Sequence, residues 1–505
     1  MTFTLPAAPA GRGTAEAVPD LACLGEPRLL AGLEDRDRMD RVAHLTVHGG
    51  LPDLRLEELM DLAENIALRG RGGAGFPFVR KLRAVVDAAG RQGADTAVVV
   101  NGSEGEPSCL KDAALLLYAP HLVLDGAVLC ANALGAREVA LGVTRGDVER
   151  SLQEALAERG PDGPRIRVGR LPERFVTGES SALTSGLDDG PALPTGSPVR
   201  TSERGLRGLP TLFSNTETYA QIAVAARLGA LGFRETGLPG EPGTVLLTVA
   251  GEHVVEAPTG ALLTYVLDVC GTAPGQGVLV GGYHGRWLTP EGAAEAVISR
   301  QSLSSLGATL GAGAVLPLPE DTCPVAETVA VTAWLAGESA GQCGPCALGL
   351  PALADALRHA ADGGGTASLE AVRTRMRAVE KRGACSHPDG SAGFVSSALG
   401  TFPDEFERHA EGAGCGRGAT GALPLPGGPP GGRSAPREEQ STSRLVVDWT
   451  RCRGHGLCAD VAPDLLGLDR DGFPDRARSP VPDALRRQAL RAVRRCPELA
   501  LRLEG

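Results

Sequence analysis

The chain has 505 residues, too many for one hydrophobic core and enough for about three or four domains. Its net charge of −11, with no basic tract or aromatic-laced basic stripe, argues against nucleic acid as the main partner. No uncharged apolar run of about 18 residues implies a membrane span, and the N-terminus lacks the pattern of a secretory signal, so a cytoplasmic protein is expected.

In that compartment the twelve cysteines read as metal ligands more readily than as disulfides. Only three basic residues are Lys (Lys81, Lys111, Lys381), and Asn is equally scarce. A GC-rich codon bias explains the scarcity and makes the survivors informative.

Residues 40–235 alternate apolar β-rich runs with helical patterns, which predicts α/β layers. Within them, LRGRGGAGFP (Leu68–Pro77) holds four glycines in six positions. Such a string suits neither a helix nor a strand interior, but lets backbone amides approach a flat or phosphorylated ligand. Arg71 offers a planar fork for phosphate, and Lys81 follows one turn into the next helix. The bland alternative is a flexible loop. Next, an apolar strand over 97–100 runs into NGSEGEP, placing Asn101, Ser103, Glu104 and Glu106 where ligands sit in α/β sheets. The alternative there is a solvated acidic turn.

Residues 243–285 change character and predict a small α+β unit. Residues 325–410 show apolar spacing of three to four and predict a helix bundle. Cys343 and Cys346, with Cys385 about forty residues on, can ligate one iron–sulfur cluster; leftover thiols or a redox pair are the alternatives. Gly, Pro and Ser dominate 411–443, which reads as a flexible linker. Residues 444–505 carry Cys452, His455 and Cys458, then Cys496–Pro497, an iron–sulfur pattern with zinc as the other metal that fits. The remaining cysteines, Cys323 and Cys415 among them, share no spacing and read mostly as small buried hydrophobes.

LRGRGGAGFP, NGSEGEP, VTGESSAL (176–183) and LPTLFSNTETYA (209–220) resemble the FMN-binding motifs of the flavin subunit of respiratory complex I and of NAD-reducing hydrogenases. The resemblance spans 40–410. It implies a multidomain chain: an α/β FMN and nucleotide-binding domain (1–240), a ubiquitin-like α+β domain (241–320) and a helical bundle with an iron–sulfur site (321–410). The linker (411–443) and a ferredoxin-like α+β domain (444–505) complete it. It also implies that Gly70, Arg71, Gly72, Gly73, Lys81, Asn101, Glu104, Gly178, Glu179 and Asn215 hold FMN, with Ser103, Ser180 and Ser214 in the same site. Phe76 and Glu106 would lie at the nicotinamide end.

This sequence departs from that family at several points. Ser103 replaces an Asp, and Ser180 a Glu near the adenosine ribose. The rings expected after Lys81 and within PVRTSERGLRG are missing. Losing the carboxylate at 180 removes repulsion toward a 2′-phosphate, so relaxed NADH/NADPH discrimination or an altered donor is expected. Ala340 stands where the family has its first bundle Cys. That leaves a three-Cys 4Fe–4S or 3Fe–4S cluster, a substitute ligand (Ser339, His387 or Cys323), or no cluster.

The C-terminal segment resembles single-cluster bacterial ferredoxins that serve haem-thiolate monooxygenases. Its central position holds His455, which favours 3Fe–4S over 4Fe–4S. The expected function is NAD(P)H-dependent electron transfer through FMN to the fused ferredoxin. The acceptor would be a partner protein, a haem monooxygenase or another oxidoreductase subunit. The alternatives are a subunit of a larger NADH dehydrogenase-like complex and a degenerate FMN-binding module without nucleotide oxidation.

Overall fold

The run Ala97–Gly102 pairs in parallel with Glu138–Val143 on one side and Thr211–Asn215 on the other, and Arg165–Arg170 completes a four-stranded sheet. Both faces are covered, which is why its strands are continuous apolar runs rather than alternating ones. Val98 and Val100 join a core with helices Pro120–Leu134 and Thr216–Arg234. Ala97 and Val99 face Leu183 and Leu187 of helix Ser180–Leu187. The computed structural model describes residues 19–33, 38–160, 163–426, 443–449, 451–470, 472–481, 485–498 and 500–504.

On helix Pro120–Leu134, buried Asp125 gathers His44 Nε2 at 2.8 Å, Arg159 at 2.6 Å, Arg41 at 3.3 Å and Arg227. Burial would raise the Asp125 pKa. The His44 hydrogen bond and the Arg159 charge outweigh it and hold the carboxyl well below its usual range.

A second, mixed sheet has six strands in the order Asp20–Cys23, His253–Pro258, Thr244–Val249, Ala314–Pro317, Val278–Val280, Arg286–Leu288. The sequence places this unit at 241–320. The structure extends it with Asp20–Cys23, which pairs in parallel with His253–Pro258. A parallel edge strand recruited from more than 200 residues away leaves no local signal.

Helices Pro324–Gly337, Leu350–Ala361, Thr366–Val379, His387–Thr401 and Pro403–Ala410 form the expected bundle around Leu353, Val372 and Phe394. The structure differs from the expected linker over 411–426, which is a strap docked on this bundle. The buried Glu327 carboxylate accepts from the backbone N–H groups of Thr420, Gly421, Ala422 and Leu423 at 2.8–3.2 Å. Leu423 is fully buried, and Arg417 ties the strap to Gln276 and Glu405. Buried carboxylate–amide bonds hold a segment whose composition alone argues for a tether. The rest of the expected linker, 427–442, lies outside the described residues. Beyond it, Arg444–Val447 pairs antiparallel with Arg478–Pro480 and Leu501–Glu504, and helix Arg486–Arg495 packs on this small sheet. Among the described residues no single helix is long and apolar enough to cross a membrane.

Candidate functional site

The glycine-rich string closes on itself. Gly70 N–H donates to Phe76 O at 2.9 Å and Phe78 N–H to Leu68 O at 2.8 Å, pinching the loop at its base. Gly73 and Gly75 take φ of 107° and 59°, where a Cβ is disfavoured. A Cβ on Gly75 would lie 2.4 Å from Arg300 Nη1, and one on Gly72 would lie 3.3 Å from Asn215 Cβ. The glycines thus let the backbone pass between Arg300 and the sheet end. Arg71 is buried, its Nη2 3.4 Å from Thr244 O and its Nε 3.9 Å from Glu217 without a hydrogen bond.

Lys81, on helix Phe78–Gln92, donates from Nζ to Phe213 O at 2.7 Å and to Ser214 Oγ at 3.3 Å. No carboxylate pairs with it among the described residues, and burial pushes its pKa down to about 8. Lys111 is the opposite case. Burial works against its charge, but Asp112 at 2.8 Å and Glu217 at 3.0 Å outweigh it and raise its pKa.

Asn101 and Asn215 are register partners at the C-terminal ends of adjacent parallel strands. Asn101 Nδ2 donates to Gly178 O at 2.9 Å, and its Oδ1 accepts from Ser103 N–H at 3.0 Å. Ser103 Oγ is buried with no partner among the described residues. Glu104 and Glu106 do not sit on a solvated turn. Glu104 accepts from the N–H groups of Asp112 and Ala113, at the start of helix Lys111–Tyr118. Glu106 accepts from Tyr283 N–H at 2.7 Å and from the Ser108 hydroxyl. Burial lifts both carboxyls to about 7, with the Asp112 charge adding at Glu104.

Of the fifteen residues expected to bind flavin or nucleotide, all but Gly70 and Ser214 line one cavity of about 930 Å³. Small-molecule sites span roughly 300–1,000 Å³, so this one has room for more than one ring system. Phe76 stands half-exposed at its rim. The sequence reading missed Lys111, Asp112, Phe175, Arg200 and His284, which also line it, and offered His387 only as a substitute cluster ligand; the persistence of Lys111 against the Arg bias was the one signal. The orphaned Arg71 Nε and Ser103 Oγ, the Gly cradle and the unpaired Lys81 charge fit a phosphorylated planar group such as FMN.

Cys385 lines the same cavity, so the cleft and the bundle thiols share a wall. Cys343, Cys346 and Cys385 lie close enough to influence one another. Burial would raise the Cys343 thiol, but backbone amides of Ala384 and Cys346 outweigh it and lower its pKa. Burial and the neighbouring Cys343 push Cys346 up to about 12. Two of the substitute ligands are engaged elsewhere: His387 Nε2 lies 2.9 Å from Leu335 O, and Cys323 sits in a separate group. In the C-terminal domain, burial followed by Cys452 and Cys496 raises the Cys458 thiol, so the three lie within electrostatic reach, although their sulfurs are not all within 4.8 Å of one another. His455 is exposed, 4.0 Å from Glu498.

The separate group is Cys323, His409 and Cys415, whose ligand atoms all lie within 4.8 Å of one another. Two cysteines expected as isolated hydrophobes therefore meet a His. Cys323 Sγ is 3.4 Å from His409 Nε2, and His409 Nδ1 lies 3.3 Å from Ala361 O, the backbone contact that orients a ligating imidazole. This donor set suits a soft divalent cation such as Zn²⁺.

Models of three families match the chain. The Nuo51 FMN-binding domain matches residues 63–224, the NADH-ubiquinone oxidoreductase-F iron-sulfur binding region 327–409, and a 4Fe-4S single cluster domain 445–503. The NADH-quinone oxidoreductase F 2 subunit of Rhizobium meliloti is 30% identical, covering 71% of this chain and 90% of that protein. The NADP-reducing hydrogenase subunit HndC of Solidesulfovibrio fructosivorans is 27% identical, covering 80% and 83%. Among solved structures, an NAD+-reducing NiFe-hydrogenase in the H2-reduced state superposes with a TM-score of 0.63 at 26% identity, over 70% of this chain and 63% of that one. The chain therefore spans less than two thirds of that hydrogenase chain. The chain belongs to the family of the NADH-quinone oxidoreductase F subunits: it is an NADH dehydrogenase-like oxidoreductase with an FMN-binding domain and iron–sulfur regions.

Proposed function

We propose that this chain is an NAD(P)H-dependent flavin and iron–sulfur oxidoreductase that delivers electrons to its own fused C-terminal ferredoxin, and from there to a haem monooxygenase or another oxidoreductase subunit. The observation that carries this reading is the shared cavity: the Gly-rich loop, both strand-end asparagines and Cys385 line it together. When bound, FMN supplies two-electron acceptance from a nucleotide, and iron–sulfur clusters supply single-electron transfer.

The chain's own residues bind and orient. Gly72 and Gly73 bring backbone amides to the ligand, Gly70 closes the base of their loop, and Lys81 holds the phosphate charge. Asn101, Ser103, Gly178 and Asn215 meet the ribityl and ring edge. Arg71, Ser214 and Glu179 brace these groups. Glu104 stays within the flavin shell, while Glu106 and Phe76 bound the nicotinamide side and exclude water. Cys343, Cys346 and Cys385 would hold the bundle cluster, and Cys452, Cys458 and Cys496, with His455 at the central position, the ferredoxin cluster, as 3Fe–4S or 4Fe–4S. The six-stranded unit is read as the ubiquitin-like domain.

A second reading, a subunit of a larger complex, is favoured by the names of the relatives, which are subunits. Anaerobic titration of the reconstituted full chain with NADH and NADPH, followed by absorbance and EPR, tests the first. Flavin bleaching followed by reduced-cluster signals is expected; no bleaching by either nucleotide overturns it. Bleaching without electron delivery to an added acceptor favours the second.

A further inference from the structure

Two guanidinium groups hold the glycine-rich loop from outside. Gly70 O accepts from Arg300 Nη2 at 3.1 Å, and Gly75 O accepts from Arg69 Nη1 at 3.2 Å. Neither arginine lines the cavity, so the carbonyls at both shoulders of the loop are drawn away from it. Between those shoulders, Gly72, Gly73 and Ala74 all line the cavity, and their N–H groups make no hydrogen bond among the described residues. The Arg71 N–H is already taken by Thr218 Oγ1 at 3.0 Å. Carbonyls drawn outward beside a run of unpaired amides form a concavity that suits an anion.

Arg300 reaches this loop from a distant part of the chain. It opens the short helix Arg300–Ser305, between two strands of the six-stranded sheet. Two contacts fix its backbone there. The Glu241 carboxylate accepts from the Arg300 N–H at 2.9 and 3.0 Å and from the Gln301 N–H at 3.3 Å. Ser299 Oγ accepts from the Ser302 N–H at 2.9 Å. With the backbone fixed, the side chain spans to Gly70. Only a glycine at 75 leaves room for it, because a Cβ there would collide with Arg300 Nη1.

The Arg300 charge is left over as well. The residue is half-buried and forms no ion pair among the described residues. Burial, with the Arg71 charge next, lowers its pKa to about 10, which keeps it charged at neutral pH. Of the carboxylates that face it, Glu241 is bound to backbone amides and Glu217 to Lys111 at 3.0 Å. A positive charge behind unpaired amides raises the potential felt by a phosphate in front of them.

We infer that Arg300 is a positioning residue for the flavin phosphate: by holding Gly70 O away from the cavity it presents the Gly72, Gly73 and Ala74 amides to the dianion. This rests on the FMN reading above. It differs from the Lys81 contact, since Arg300 lies outside the cavity and acts through the loop.

Flavin-fluorescence titration of the full apo chain with FMN and with riboflavin tests it. Arg300→Met keeps the bulk and removes both donor and charge. It should weaken FMN binding by about 10- to 100-fold, the range for a charged hydrogen-bonded contact, and leave riboflavin binding unchanged. Arg300→Lys, which keeps a cation within reach of the carbonyl, should recover much of that loss. Gly75→Ala, which displaces the guanidinium without removing it, should reproduce the loss, and it carries the test alone if a thermal melt shows Arg300→Met to be unfolded. Unchanged FMN affinity in these variants, or equal weakening of FMN and riboflavin, overturns the inference. A wild-type chain that binds neither flavin overturns the FMN reading instead, before any variant is compared.

Discussion

Lys81 Nζ lies 2.7 Å from the carbonyl oxygen of Phe213 and has no carboxylate partner among the described residues. A buried ammonium satisfied by a carbonyl and a hydroxyl leaves a net charge in the cleft, and an incoming phosphate neutralises it. Lys81→Met should weaken FMN binding by roughly 10- to 100-fold while riboflavin, which lacks the phosphate, binds as before. Flavin-fluorescence titration of both ligands checks this; equal losses for the two would place the Lys81 contact elsewhere on the flavin.

Glu106 is buried and held at about 7. A carboxyl whose folded pKa exceeds its unfolded value of about 4.3 costs nothing when protonated and destabilises once it ionises. Relative to wild type, Glu106→Gln should therefore gain stability as pH rises from 5 to 8, by up to about 3 kcal/mol. Denaturant melts of both proteins at the two pH values measure it. A constant difference would show that the carboxyl is already neutralised or ionised throughout.

Asp125 sits inside a cage of three arginines and His44. Asp125→Ala strands those cations in the interior and should cost about 3–5 kcal/mol. Because the carboxyl is held low, its stabilisation is present above about pH 3.9 and is lost as pH falls through its depressed folded value. The variant should accordingly lose much of the wild-type acid limb in a pH series of thermal melts.

Cys323, His409 and Cys415 come from the start of one bundle helix, the end of another and the strap. Protein purified from zinc-supplemented cells should carry about one zinc per chain. Cys415→Ser should lose it and keep its iron, as read by elemental analysis. Iron falling in parallel with zinc would mean that the site belongs to a cluster instead.

The α/β layers, the tight glycine-rich loop and the bundle were legible because each depends on local pattern: continuous apolar runs for a two-faced sheet, glycines for a tight backbone approach, three-to-four spacing for helices. The edge strand Asp20–Cys23 and the Cys323–His409–Cys415 group were not, since their partners lie far apart in the chain. Glu104 shows another limit. Its place after a strand reads as ligand-facing, and it does line the cavity, but its oxygens also cap helix Lys111–Tyr118. Position in a motif does not say which buried amides a carboxylate must satisfy.

The four amide bonds to Glu327 also set a leash. With anchorage carried to residue 426, sixteen residues separate the strap from 443, a contour of at most about 60 Å. Had the bundle contacts ended at 411, that limit would be nearly twice as long. The Glu327 carboxylate thereby limits how far residue 443 can stand from the bundle.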